Sequence, residues 1–139
     1  MNQRLNANAL VRLLIDDDEK QAGIVKELIV STENQGRQIL ILTEVLIETV
    51  WVLESVYECT REDIYRFLET LAYTSVFTLS EPQLVINTIR QFKKGGDFAD
   101  LIIVMQALNH QAKKMLSFDK KLQKLFPDYV VENVNDLES

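Results

Sequence analysis

The sequence predicts an α/β fold in a single domain. Short apolar runs with β-branched residues alternate with longer stretches whose apolar residues recur at helical spacing, the signature of a sheet with crossover helices. One run, Ile39 to Leu42, is apolar throughout, as suits a parallel strand covered on both faces. No repeat, low-complexity tract or linker interrupts the 139 residues, so one domain is expected over 1–139.

The first strand is expected at Gln3 to Asn6, running straight into the helical ANALVRLL. Asp16, Asp17 and Asp18 break that pattern and offer caps for a second helix with Ile24, Val25, Leu28 and Ile29 at helical spacing, closed by Gly36. After the strand Ile39 to Leu42, Thr43 is a candidate cap for a helix from Glu44 to Tyr57 that is apolar nearly all round. Thr60 opens the next helix, with Ile64, Phe67, Leu68 and Leu71 on one stripe. These two helices are expected to pack as a hairpin that buries Trp51, Leu53, Phe67 and Leu71. Ser75 to Leu79 reads as an edge strand. Pro82 suits the first turn of a helix that runs to Lys93 and stops at Gly95 and Gly96. A helix from Phe98 to Gln111, a strand Lys114 to Ser117, a short helix after Asp119, a break at Pro127 and a last strand Tyr129 to Val134 complete the chain.

Composition narrows the function classes. With 47% hydrophobic and 26% charged residues the balance is that of a globular domain. The net charge of −6 argues against coating nucleic acid through bulk positive charge, although it leaves room for a nuclease whose acids bind cations. Arg37, Lys93, Lys94, Lys113, Lys114, Lys120, Lys121 and Lys124 are candidates for a local basic rim. No apolar run is long enough to span a bilayer and no basic leader precedes one, so no membrane partner and a cytoplasmic location are expected. The single cysteine, Cys59, agrees with a reducing compartment and reads as a structural thiol.

The chemistry lies in carboxylates of separate segments, each placed where an apolar run meets a helix start or strand end. Asp97 and Asp100 stand three apart at a helix start, an arrangement that also serves capping, yet Asp100 adjoins the apolar run Leu101 to Met105 and needs a cation, a donor or a proton. Glu48 interrupts an apolar helix, with Glu44 one turn earlier as its competitor. Asp119 follows an expected strand end, where open α/β sheets build their ligand crevice, and is equally a good N-cap. Acids gathered at strand ends raise one another's pKa, and a hard cation such as Mg²⁺ or Mn²⁺ relieves the repulsion, activates water and offsets charge on a phosphodiester. No GxxxxGK[ST] or GxGxxG loop is present. The only histidine, His110, lies among polar neighbours far along a helix, which disfavours a Ser-His-Asp mechanism.

The segments NANALVRLL, LIETVWVLES, GGDFADLIIVMQA and LSFDKKL, in this order and context, resemble the PIN domain family and most closely its VapC toxins, over nearly the whole chain from Leu5 to about Val134. The resemblance implies a three-layer α/β/α sandwich around a short parallel sheet and a Mg²⁺-dependent endoribonuclease, with Mn²⁺ as the alternative ion. It also implies an RNA substrate, a VapB-like antitoxin whose C-terminal segment fills the active-site groove, and a homodimer. By motif, Glu48 corresponds to the acid on the helix after the second strand, Asp100 to the acid opening the central helix, and Asp97 to an accessory acid. Asp119 corresponds to the last acid, with Ser117 at the accompanying hydroxyl position. The departure is at the start, where a DxN motif is expected and NAN stands. Asn6 occupies the place of the first acid, and Asn8 retains the expected amide. Asn6 has a carbonyl oxygen to offer a metal but no charge, so metal affinity and water activation are expected to weaken. Two explanations fit: an Asp-to-Asn inactivation of a competent enzyme, or a natural non-catalytic PIN scaffold that binds RNA or a partner protein. A structure-specific DNA nuclease of the wider family is the third option.

Overall fold

The computed structural model describes residues 3–15 and 17–138. The element order is β1 (Gln3–Arg4), α1 (Ala7–Leu14), α2 (Glu19–Asn34), β2 (Ile39–Ile41), α3 (Thr43–Ser55), α4 (Arg61–Tyr73), β3 (Phe77–Leu79), α5 (Pro82–Lys94), α6 (Phe98–Asn109), β4 (Met115–Leu116), α7 (Lys120–Leu125), β5 (Val130–Val131) and a closing 3₁₀ turn (Val134–Glu138). This is the α/β class and PIN-like arrangement that the sequence implied, with short parallel strands joined by helical crossovers. The strands fall into two parallel groups, β1-β2-β3 and β4-β5. Ile39 is registered with Gln3 on one side and Phe77 on the other, so β2 is the central strand of the first group. The fully buried Ile39 and Ile41 explain why its sequence carries no polar alternation.

Local chemistry sets most helix starts. Asn6, Asp18, Thr60, Asp97 and Asp119 each cap a helix with a side-chain oxygen that accepts a backbone N–H of the first turn. Asp18, whose oxygen accepts from Gln21 N at 3.0 Å, is the cap among the three successive aspartates, while Asp16 lies outside the described residues. Thr43 is a correction. It is the first residue of α3, behind Leu42, and its hydroxyl donates to Glu81 Oε1 at 2.7 Å, while its N–H donates to Ser80 Oγ at 3.1 Å. Those bonds tie the start of α3 to the loop after β3. At the end of α5, Gly96 has φ +107, and a Cβ there would stand 2.9 Å from Leu101 Cδ2, so only glycine permits this entry into α6.

The main core runs through α1, β2, α3, α4, α5 and α6, with Leu10, Ile39, Leu53, Ile64, Phe92 and Phe98 among its fully enclosed members. Burying each such side chain contributes roughly 1.5–3 kcal/mol. A small second cluster of Val104, Leu122 and Val130 fastens α7 and β5 to the far side of α6.

Three packing expectations change. The α3–α4 hairpin does not form: α3 packs on α1 and α6, whereas α4 packs on α5 and β3. Leu53, Phe67 and Leu71 are buried as expected, but Trp51 is 62% exposed, because the buried face of α3 is Leu46, Thr49, Val50 and Leu53 and Trp51 lies opposite it. In α2, Val25 is buried but Ile24 is exposed. The last strand is shorter than Tyr129 to Val134, since the chain turns into the 3₁₀ segment at Val134. Among the described residues, no helix is long and apolar enough to cross a membrane.

Candidate metal centre

The candidate acids and amides are set by helix ends. Asp97 caps α6, and its Oδ2 accepts from Asp100 N at 3.1 Å. The same bond fixes Asp100 in the first turn, half-buried at the margin of the core formed by Phe98, Leu101 and Ile102. Asp119 caps α7, its Oδ1 accepting from Lys121 N at 2.9 Å and Leu122 N at 3.2 Å. Ser117 supports that turn, because its Oγ accepts from Asp119 N at 3.1 Å. Each cap uses one carboxylate oxygen and leaves the other.

Two of the acids act on a third. The Asp100 carboxyl is pushed above the ordinary aspartate range, first by burial and then by the negative charges of Asp97 and Asp119. Glu48 is exposed on α3 and joins Asp97 across a groove of about 290 Å³ that Glu44, Trp51, Glu54 and Phe98 also line. Glu44 therefore shares this groove rather than replacing Glu48.

Asn6 sits at the start of a different helix. It leaves β1 in extended conformation and caps α1, its Oδ1 accepting from Ala9 N at 3.0 Å. That bond uses one of the two lone pairs of the oxygen expected to face a metal, and the other terminal atom is the amide nitrogen, a donor that cannot ligate a cation. Asn8 is exposed on the first turn of α1, and neither amide hydrogen-bonds to the candidate acids among the described residues.

Glu54 escaped the sequence reading. Its carboxyl is raised by burial and by Asp97, and lowered by the Arg61 guanidinium. The signal was present, since Glu44, Ile47, Glu48, Trp51 and Glu54 fall on one helical stripe opposite the buried face. Arg61 was missed as well. One of its guanidinium nitrogens donates to Phe92 O at 2.8 Å and to Gly96 O at 2.7 Å, and the group lies 4.3 Å from the centre of the Phe92 ring. It thereby holds the turn that delivers Asp97. Glu54, Arg61 and Asp97, with Lys121 and Lys124, line a second recess of about 450 Å³. From the expected basic rim, only Lys121 and Lys124 belong to this recess, and Lys120 is engaged by Glu132 instead.

The PIN domain family model matches residues 5–125, from the end of the first strand to the end of α7. This chain belongs to the PIN domain family. The match takes in every helix terminus described above, including those that carry Asn6, Asp97, Asp100 and Asp119. A VapC ribonuclease of Aquifex aeolicus (strain VF5) is 27% identical to this PIN domain over 122 residues, which cover 87% of the chain and 90% of that protein. No solved structure matches it significantly.

A hard divalent cation suits the chemistry of these side chains. The donors are all oxygen, and Asp100 is burdened by two neighbouring negative charges that a cation offsets. As they stand, however, no three Asp, Glu, His or Cys side chains among the described residues are grouped closely enough to hold one ion. The influence of Asp97 and Asp119 on Asp100 and the absence of a chelating group are compatible, because Coulomb forces reach further than metal–oxygen bonds of about 2.0–2.1 Å.

Proposed function

We propose that this PIN domain is a Mg²⁺-dependent endoribonuclease toxin of the VapC type, with Mn²⁺ as the alternative ion, and that Asn6 impairs it. In this reading it acts in the cytoplasm as a homodimer and is held in check by a VapB-like antitoxin. The observation that carries the proposal is the crowding of Asp100 by Asp97 and Asp119 within a domain of this family. The likeness to a VapC ribonuclease supports RNA as the substrate.

Glu48, Asp97, Asp100 and Asp119 are the residues that would hold the ion, with Asn6 at the fifth position. A bound ion supplies activation of water and charge compensation for a phosphodiester. The protein's own part is placement. The caps fix Asp97 and Asp119 relative to the backbone, the Asp97 bond fixes Asp100, and Arg61 holds the intervening turn through Gly96 O. Asp100 retains its proton to higher pH than an ordinary aspartate, so a bound counter-charge favours its ionised form.

Asn6 itself favours a second reading, a non-catalytic PIN-fold module that binds RNA or a protein, because the amide contributes no charge. Growth separates the two. Inducing the Asn6→Asp chain in a bacterium without its antitoxin should arrest growth where the parent chain does not, and Asp100→Asn in the same chain should restore growth. Unchanged growth with Asn6→Asp at equal expression favours the binding module.

A further inference from the structure

We propose that Trp51 is a stacking platform for one base of a single-stranded RNA, and that the recess of Arg61, Lys121 and Lys124 takes a phosphate of the same strand. The inference rests on the ribonuclease reading and deepens it by assigning the substrate's path.

Trp51 is the only tryptophan of the chain and sits in the middle of α3, yet it is 62% exposed. Tryptophans are highly buried on average, and a large ring left in water is the informative exception. Among the described residues, no aromatic ring or cation stacks on it. It lines the same groove as Glu48 and Asp97, so a strand lying along these two acids passes beside this ring. The groove and the cationic recess share Glu54 and Asp97 and are therefore contiguous.

An aromatic face next to a cluster of cations is the arrangement that recognises single-stranded nucleic acid, in which each base offers a π-face and each linkage a negative charge. A base-paired strand has no free face to offer, which makes the occupant single-stranded or a loop. Arg61 serves this recess although two of its hydrogen bonds go to backbone carbonyls, since those bonds leave its charge in place. Any occupant must approach the carboxylates of Glu44, Glu48, Glu54 and Asp97, and the adjoining recess of Arg61, Lys121 and Lys124 sets beside the ring the positive charge that a strand's phosphates match, so the proposal commits to the nucleic acid.

The sole tryptophan makes the test direct. A short unstructured oligoribonucleotide is titrated into the chain in Mg²⁺ while Trp51 emission and the anisotropy of a label on the RNA are followed. Binding should quench the emission. Trp51→Ala should weaken affinity by about 5- to 100-fold, the range for one lost stacked base, and Trp51→Phe should keep most of it. One abasic position in the oligonucleotide should cost affinity in the parent chain and nothing in Trp51→Ala. The double replacement of Lys121 and Lys124 by Ala should lower the salt dependence by about 1 to 2 in slope. RNA that binds with unchanged emission and equal affinity to Trp51→Ala would overturn the platform and leave the ribonuclease reading standing. No RNA binding at all, with Trp51→Ala converting a dimer to a monomer in sedimentation, would make this face a protein interface and remove both.

Discussion

The carboxylate of Asp97 accepts a hydrogen bond from the backbone N–H of Asp100 at 3.1 Å, so the cap of α6 and the acid inside it are a single unit. Capping and catalysis compete for the same aspartate in sequence terms, but not in space. One carboxylate oxygen closes the helix and the other remains for the groove, while the dipole of α6 favours negative charge at this end.

Replacing Asp97 by Asn or by Ala separates the two roles. Asp97→Ala should lose the cap and destabilise the fold by about 0.5–2 kcal/mol, whereas Asp97→Asn should retain the cap and stay near the parent stability. In both variants the Asp100 carboxyl should titrate lower than in the parent, because the charge of Asp97 is one cause of its raised pKa. Chemical denaturation and carboxyl-resolved NMR titration read the two effects.

Asp100 also makes stability depend on pH. Folding raises its pKa above the ordinary value of 3.8, so the folded chain holds more protons than the unfolded one between 3.8 and the raised value. Its contribution therefore turns unfavourable as pH climbs through that window, and the penalty is absent below it. Asp100→Asn should raise the melting temperature at pH 7, and the gain should vanish on acidification below the ordinary aspartate range. Adding Mg²⁺ should stabilise the parent more than Asp100→Asn, as a cation that binds only the folded state must.

The two faces of α3 predict opposite mutational costs. Leu53 and, on α4, Leu71 are enclosed in the core, and truncation of either to Ala should cost about 2–5 kcal/mol. Trp51→Ala should change stability by no more than about 0.5 kcal/mol despite removing the larger side chain. Urea denaturation of the three variants measures both. A cost for Trp51→Ala comparable to that of Leu53→Ala would place the ring in the core.

Which parts were legible from sequence follows from the range of the forces involved. Caps, glycine stops and the apolar β2 run are local, so α1, α5 and the start of α6 stand within a residue or two of their expected bounds. The placement of Asp97, Asp100 and Asp119 at helix starts was readable because each lies beside such a local signal. Trp51 was misplaced because α3 was read as apolar nearly all round, whereas Glu44, Glu48 and Glu54 mark the stripe it shares, opposite the face that meets α1 and α6. The α3–α4 hairpin failed for a related reason: short connections suggest neighbours, but the buried stripe of α4 is claimed by α5 and β3. Arg61 was missed since its significance depends on the turn at Gly96, which brings together residues distant in sequence, and Glu54, although on the acidic stripe of α3, meets Asp97 only in the fold.

Asn6 is where the account is tested most directly. Asp caps helices as well as Asn, so Asn6→Asp should keep the bond from Ala9 N while turning the remaining terminal atom from an amide donor into a carboxylate oxygen. Purified Asn6→Asp, incubated with structured RNAs and Mg²⁺, should cut them at defined positions. The parent should cut far more slowly, chelation of the metal should stop the reaction, and adding Asp100→Asn to Asn6→Asp should abolish it, a control that a contaminating nuclease would not pass. If Asn6→Asp is folded and binds Mg²⁺ yet leaves a broad set of RNAs intact, the ribonuclease reading is contradicted and this PIN domain is a binding module.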